Sequence, residues 1–465
     1  MMATNALSVE NTRDIESFVS EWVRDEGVPG VSVAIVDDTD CLYTDGFGAR
    51  NLETNAPATP ETLYGIGSCT KSITTVAILQ LAEDSQLTLD DPVDDYLPYL
   101  REVNADSIRI HELLTHSSGM PSDGSLSALI TRLTGRSDQD PDQPLSSDDD
   151  FRRHIEGSVD ERLTDRDRFF YYNTGYYLLG KVIEAVTEQP YAEYIRDQIL
   201  EPLAMTQSLF SEADFETVED RMTPYNQEDG TAVEGKLAFD ERLYAAGGMI
   251  SSVREMANYL QMFLREGTFD DHEILSSESI ESMTKPYATR EEYLDEREQG
   301  YGYGVAVESF LTDTLVNHGG MMGTTTAWFG YLVDAGIGVV TMCNTAPEKR
   351  PSDVGKALLA IVQDESPATV VPTYMLEQKA EPLLGEYASY HGIRTATVSK
   401  RSGGLHISFD DPGWSADHYV YPERLQPDDY QYSFVTDTGK QVPVEFRIDD
   451  DAVSMLFQRW QLHKE

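Results

Sequence analysis

The stretch YGIGSCTKSITTVAILQLAEDSQLTLDD, Tyr64 to Asp91, carries the reading of this chain. Ser68 stands near its head, Lys71 follows three residues later, and Ile73, Val76, Ala77, Leu79 and Leu81 come next. A helix starting at Ser68 would be apolar nearly all round, which predicts an interior position. Residues three apart on a helix share a face, so Ser68 and Lys71 would be neighbours one turn apart. A serine hydroxyl is a weak nucleophile until a base lies within hydrogen-bond reach. At a helix N-terminus the backbone N–H groups and the positive dipole end favour developing negative charge. A lysine beside an interior helix is the kind whose pKa falls by desolvation, which makes it usable as a base. The plain alternative is a helix-capping serine with an exposed lysine. Spacing alone does not decide, because Ser282-Met283-Thr284-Lys285 repeats it. There Pro286 biases Lys285 away from helix, so that pair is not expected on one face. Cys69 is a rival nucleophile without a recognisable histidine partner.

Outward from this stretch, Ile15, Phe18, Val19, Trp22 and Val23 fall at helical spacing in an N-terminal amphipathic helix. GVSVAIVDD and CLYTDGFGARN read as two adjacent strands, the first buried. Residues 121–168 read as a loop-rich, charged insertion with a short helical interruption near Leu129. Helices are expected in NTGYYLLGKVIEAVTEQ, SSVREMANYLQMFLREG and DVGKALLAIVQD, and strands in GYGYGVAVESF, TTTAWFGYLVD and GIGVVTMCNT. Strands at both ends with helices between predict an α+β fold, one antiparallel sheet closed by both ends of the domain around an inserted helical subdomain. DESPATVVPT reads as a linker, and the rest alternates with turn signals about every 10 residues, an all-β barrel-like or sandwich module. The expected division is a first domain over 1–365, a linker over 366–373 and the β module over 374–465.

The chain holds 82 acidic against 35 basic residues, a formal net charge of −47, with only 10 lysines. Such a chain repels nucleic acid and anionic lipid, so neither is an expected partner. The acids are spread throughout, which predicts a fold adapted to high salt: at about 1 M salt the Debye length falls to roughly 3 Å and self-repulsion is screened. No run approaches the roughly 20 apolar residues of a membrane span, and the N-terminus lacks a signal-peptide pattern, so a cytoplasmic location is expected. The three cysteines, Cys41, Cys69 and Cys343, form no disulfide or zinc framework. HELLTH sets His111 and His116 five apart rather than four, LDDPVDDYLP lacks the calcium-loop glycine, and GYGYG is not in a strand-to-helix setting. No metal or organic cofactor is therefore expected.

Two further motifs accompany Ser68. RFFYYNTGYYLLG contains the chain's single Tyr-x-Asn, Tyr171-Tyr172-Asn173, and VNHGGMMGTTTAWF its single His-x-Gly, His318-Gly319-Gly320. Glycines in a strand suit a place where a ligand's backbone approaches closely. The order Ser-x-x-Lys, Tyr-x-Asn, His-Gly-Gly resembles the serine β-lactamase and penicillin-binding-protein superfamily, and more closely its class C β-lactamase-related branch of esterases, D-stereospecific peptidases and amidases. VPGVSVAIVDD, ETLYGIGSCTKSIT, IRIHELLTHSSGMPS, FYYNTGYYLLGKVIEAVT, YAAGGMISSVREMANYL and YGYGVAV resemble that family's segments in its order, over roughly residues 8 to 365. The trailing β module resembles the lipocalin-like domain of some members.

The resemblance implies a β-lactamase-like fold in which Ser68 is acylated and Lys71 takes its proton. Tyr171 would share the proton transfers, Asn173 would orient Lys71 and bind a substrate amide, and the backbone N–H groups of Ser68 and Met321 would form the oxyanion hole. His318, with Gly319 and Gly320, would line the substrate site where many β-lactamases carry lysine. An imidazole with an unperturbed pKa near 6.5 is only partly charged, which turns the expectation from penicillins towards esters or amides. The expected activity is serine hydrolysis of a small ester, amide or short peptide through an acyl-enzyme. β-Lactamase or carboxypeptidase action, and a silent scaffold, are the alternatives. The C-terminal module would narrow the site or drive homo-oligomer formation.

Overall fold

The computed structural model describes residues 7–101, 107–121, 124–135, 145, 147–163, 168–291, 293–294, 297–401, 404–411, 414–449 and 452–465. The chain divides into two compact units, residues 1–291 with 298–364, and residues 292–297 with 365–465.

The first unit opens with helix α1 (Val9–Asp25), whose first turn is capped by the Ser8 side chain and whose Ile15, Val19 and Trp22 are buried. Strands β1 (Gly30–Val36), β2 (Cys41–Asn51) and β3 (Ala56–Pro57) follow. The chain then enters a helical region and returns through β4 (Ala288–Thr289), β5 (Gln299–Tyr301), β6 (Ala306–Phe310), β7 (Asp313–Met322), β8 (Thr325–Leu332) and β9 (Ile337–Cys343). The sheet order is β4-β5-β6-β7-β8-β9-β1-β2-β3, antiparallel throughout. Both ends of the unit meet where β1 pairs β9, Val31 opposite Cys343 through Val36 opposite Gly338.

Consecutive residues of a strand face opposite sides, and β8 shows what each side covers. Trp328 packs against Gly355 of the helix Pro351–Val362. Phe329 and Tyr331 meet Tyr259 and Phe263 of the helix Val253–Leu264, with ring centroids 5.9 and 5.5 Å apart. The sheet thus lies between helical layers and is buried on both faces, which is why β1 and β8 carry continuous apolar or small residues rather than an alternating pattern.

The helix of the opening stretch, α2 (Thr70–Glu83), is buried from Thr70 through Leu79 and again at Leu81. It begins later than the sequence suggests: Gly67–Cys69 form a turn of 3₁₀ helix, and Ser68 is not a side-chain cap. Residues 121–168 also differ from the loop-rich expectation. Their described part holds the helices Gly124–Thr134 and Asp148–Ser158. The charged run SDQDPDQ lies outside the described residues. Ser147 caps the second helix and three aspartates fill its first turn, favourable placements for residues that read as loop formers.

The expected linker is likewise helical, with Pro367–Val370 and Pro372–Ala380 each opening on a proline. Proline is suited to the first helical turn, where its missing N–H has no intrahelical acceptor to lose. The second unit is a closed eight-stranded barrel, from Gly385–Ser389 round to Trp460–Lys464, with Tyr387 pairing Lys464 to close it. Tyr387, Ile407, Phe409, Phe434, Phe446 and Phe457 are among the buried residues of its packed core.

Candidate active site

Ser68 and Lys71 meet as their spacing predicts. Lys71 Nζ lies 3.0 Å from Ser68 Oγ and donates to the Ala246 carbonyl at 2.5 Å. The Lys71 side chain is wholly buried, whereas Ser68 is partly exposed. Ser68 can therefore face a substrate while its partner stays out of water. The Ala246 carbonyl comes from the short helix Tyr244–Gly247, which packs against both Gly67–Cys69 and α2. A neutral amine could keep donating to that carbonyl while its lone pair accepts the serine proton.

Tyr171 joins this pair through its ring, whose centroid is 5.1 Å from Lys71 Nζ. Several aromatic rings lie around it. The His116 ring is 4.1 Å away at 35°, and the Tyr301 and His318 rings are each at 6.5 Å. Tyr171 is partly exposed, while Tyr172 is buried and Asn173 opens the helix Asn173–Thr187. That helix packs on α2, which sets the Tyr-x-Asn segment beside Lys71.

His318 lies in β7 opposite Phe329. Its Nδ1 donates to the Gly319 carbonyl at 2.6 Å, since a carbonyl only accepts, and Nε2 accepts from the Tyr301 hydroxyl at 2.9 Å. Burial, assisted by the nearby Lys71 charge, pushes its pKa down to about 3. The expected partly charged histidine is thus a neutral one, with both ring nitrogens engaged inside the protein.

The glycines of the motif differ in their demands. A Cβ on Gly320 would overlap the Ile66 carbonyl and come within 2.9 Å of Ser68 N. A Cβ on Gly67, which also has φ +54°, would overlap Met321 N. Bare backbone at both positions lets the turn 67–69 and β7 approach until the Ser68 and Met321 amides lie in one neighbourhood, as two oxyanion donors require. Gly319 is different: a Cβ there would meet nothing nearer than 3.8 Å.

Contacts therefore unite Ser68, Lys71, Tyr171 and His318, and close backbone approach brings in Gly320 and Met321. For Asn173 the fixed feature is its place at a helix start. Sequence reasoning missed the Ala246 carbonyl, Tyr301 and His116, although YAAGG, YGYGVAV and LLTHSSG had each stood out as segments. The rival nucleophile falls away on geometry. Cys69 is buried, its Sγ donates to the His318 carbonyl at 3.3 Å, and burial raises its pKa, which keeps it a thiol. His111 Nδ1 pairs with the Tyr303 hydroxyl at 2.9 Å, and among the described residues no His, Cys, Asp or Glu cluster could hold a metal.

Two family profiles match the chain, one described as Beta-lactamase over residues 15–363 and one as Pab87 octamerisation domain over residues 367–463. Protein flp of Staphylococcus aureus (strain MW2) is 27% identical over 292 residues, covering 61% of this chain and 56% of that protein. The chain thus matches just over half the length of flp. Among solved structures, the octameric penicillin-binding protein homologue from Pyrococcus abyssi superposes with a TM-score of 0.87 at 34% identity, covering 97% of this chain and 100% of that one. A D-stereospecific amidohydrolase from Streptomyces sp. shares the fold, with a TM-score of 0.58 at 22% identity over 71% of this chain and 94% of its own.

Proposed function

The chain belongs to the Beta-lactamase family, and from that membership we propose that it is a serine hydrolase acylated on Ser68 by esters or by peptide and amide bonds. The observation that carries the reading is the 3.0 Å contact between a half-exposed Ser68 Oγ and a wholly buried Lys71 Nζ. Ser68 Oγ attacks the substrate carbonyl carbon as its proton passes to the Lys71 amine. The carbonyl oxygen becomes an oxyanion facing the Ser68 and Met321 amides. When the tetrahedral intermediate collapses, the leaving alcohol or amine departs with a proton relayed through Lys71 and Tyr171. Water then attacks the acyl carbon, a proton returns to Ser68 Oγ, and a carboxylic acid is released. Asn173, at its helix start, holds the substrate amide, and neutral His318 with Gly319 and Gly320 forms the wall along which the acyl group lies.

The test is intact-protein mass after mixing with an activated p-nitrophenyl ester in molar potassium chloride, with Ser68→Ala beside the wild type. A transient acyl adduct in the wild type alone, with a matching burst of p-nitrophenolate, supports the reading. Equal background rates and no adduct in either would favour a silent scaffold. A second reading, action on carboxylate-bearing peptides or β-lactams, is favoured by Arg290. Its guanidinium lies 5.6 Å from the Phe169 ring, and its positive charge acts on His116, Tyr301 and His318. A chromogenic cephalosporin turned over faster than the neutral ester would select that reading.

The match over residues 367–463 and the octameric Pyrococcus structure support a homo-oligomer for this chain as well. Tyr390, Ile393, Tyr419 and Val435 are exposed large apolar residues within that matched segment. Light scattering in molar salt that returns the 52.0 kDa monomer mass would overturn this. Among the described residues no helix is long and apolar enough to cross a membrane.

A further inference from the structure

We propose that His116 is a positioning residue for Tyr171, a clamp that fixes the segment 170–172 so that the phenol faces the Ser68–Lys71 pair. The proposal rests on the reading of Tyr171 as a proton-transfer residue. Three contacts make the clamp. The His116 carbonyl accepts from Phe170 N–H at 2.8 Å, its Nδ1 accepts from Tyr172 N–H at 3.0 Å, and its ring lies 4.1 Å from the Tyr171 ring. The grip thus falls on both residues flanking Tyr171 and on Tyr171 itself. Residues 169–172 have no helix or strand of their own, so these contacts do what a regular element would otherwise do.

Two features set His116 apart. Its backbone sits at φ +55°, a region that L-residues other than asparagine, aspartate and histidine seldom enter. Because Nδ1 accepts, the proton resides on Nε2, and that buried atom has no hydrogen-bond partner among the described residues. An apolar side chain would avoid the unpaired donor, so the site retains imidazole at a cost, as strained functional positions do. Burial first, and then the nearby positive charges of Lys71 and Arg290, lower the pKa of the ring well below the ordinary value. The ring is therefore a neutral acceptor and not a proton carrier at neutral pH.

The test compares acylation rates with a p-nitrophenyl ester for His116→Leu, His116→Asn, Tyr171→Phe and the Tyr171→Phe, His116→Leu double variant. His116→Leu should acylate roughly 100-fold more slowly with little change in KM, the scale of a misplaced catalytic group. Asparagine tolerates positive φ and carries Oδ1 at the place of Nδ1, so His116→Asn should recover at least about tenfold of that loss. The loss should be the same at every pH from about 6 to 9, because the ring does not titrate there. In the double variant His116→Leu should add nothing, since it acts through the missing hydroxyl. Losses that multiply in the double variant, or an Asn variant that folds yet stays as slow as Leu, would overturn the clamp while leaving the role of Tyr171 intact. A fully active Tyr171→Phe would sink both. Should the Leu variant lack a cooperative melt, His116→Gln, whose carboxamide falls nearer the Nε2 position, replaces it under the same expectations.

Discussion

The chain contains Ser-x-x-Lys twice near helices, and the two copies end in different chemistry. At residues 68–71 the lysine lies inside α2, wholly buried, with Nζ 3.0 Å from the serine oxygen. At residues 282–285 the helix stops at Thr284, and Lys285 turns to extended backbone with ψ 130° ahead of Pro286. Ser282 Oγ instead meets the Tyr287 hydroxyl at 3.1 Å, and Lys285 is exposed. Spacing sets only an opportunity. The second pair has no interior helix to hold its lysine and, among the described residues, no hydrogen bond from Lys285 Nζ to a carbonyl such as that of Ala246.

The largest effect should separate the two lysines. Lys71→Met should slow acylation by roughly 10²- to 10⁴-fold, the range of a positioned general base. Lys285→Met should leave the burst rate within about twofold, since an exposed side chain at a helix end has little to lose. Stopped-flow release of p-nitrophenolate reads both. A comparable loss at Lys285 would break the comparison.

Smaller, and more local, is the contrast between the adjacent glycines of β7. Gly320→Ala would drive a methyl group against the Ile66 carbonyl and Ser68 N, separating the two amides proposed to face the oxyanion. Losing one such donor costs about 10²- to 10³-fold in rate. Gly319→Ala has 3.8 Å of clearance and should cost less than about threefold. Equal losses at the two positions would mean that strand distortion, and not the approach of β7 to Ser68, governs the rate.

How much of this was legible follows from the kind of information each feature needs. The sheet was legible, since β1, β8 and β9 are long runs bounded by turns and their place at opposite ends of the unit predicted their meeting. The Ser68–Lys71 pair was legible because helical geometry fixes residues three apart. The helices at 148–158 and 367–380 were not, since aspartate and proline read as breakers until they are seen to occupy first turns. His116 escaped notice for a related reason. The sequence offers it only beside His111 as a metal pair, while its partners Phe170 and Tyr172 lie more than fifty residues on. The charge state of His318 was misjudged because burial and its Tyr301 partner are tertiary facts, invisible to spacing.

That charge state gives the last and smallest test, in which the buried surroundings of Lys71 are set against an ordinary surface. His318 is held at about 3 and His116 is also lowered, both by burial first and then by nearby positive charge. In the unfolded chain each titrates near 6.5. The unfolded state therefore binds more protons below that value, so the stabilising contribution is complete above about pH 6.5 and is lost as pH falls towards 3. For His318 this costs up to about 1.4 kcal/mol per pH unit in that window, about 2 kcal/mol between pH 7 and 5, and His116 acts in the same direction. The lowered carboxyls of Asp37 and Asp240 act only at lower pH, and Glu255, whose pKa is raised by burial, works in the opposite direction. Thermal melts should be run in molar potassium chloride, where the −47 charge is screened. The midpoint should fall from pH 7 to pH 5 in the wild type and fall less in His116→Asn. An unchanged wild-type midpoint would mean that the two imidazoles can be protonated where they lie, and the neutral wall beside Ser68 would have to be given up.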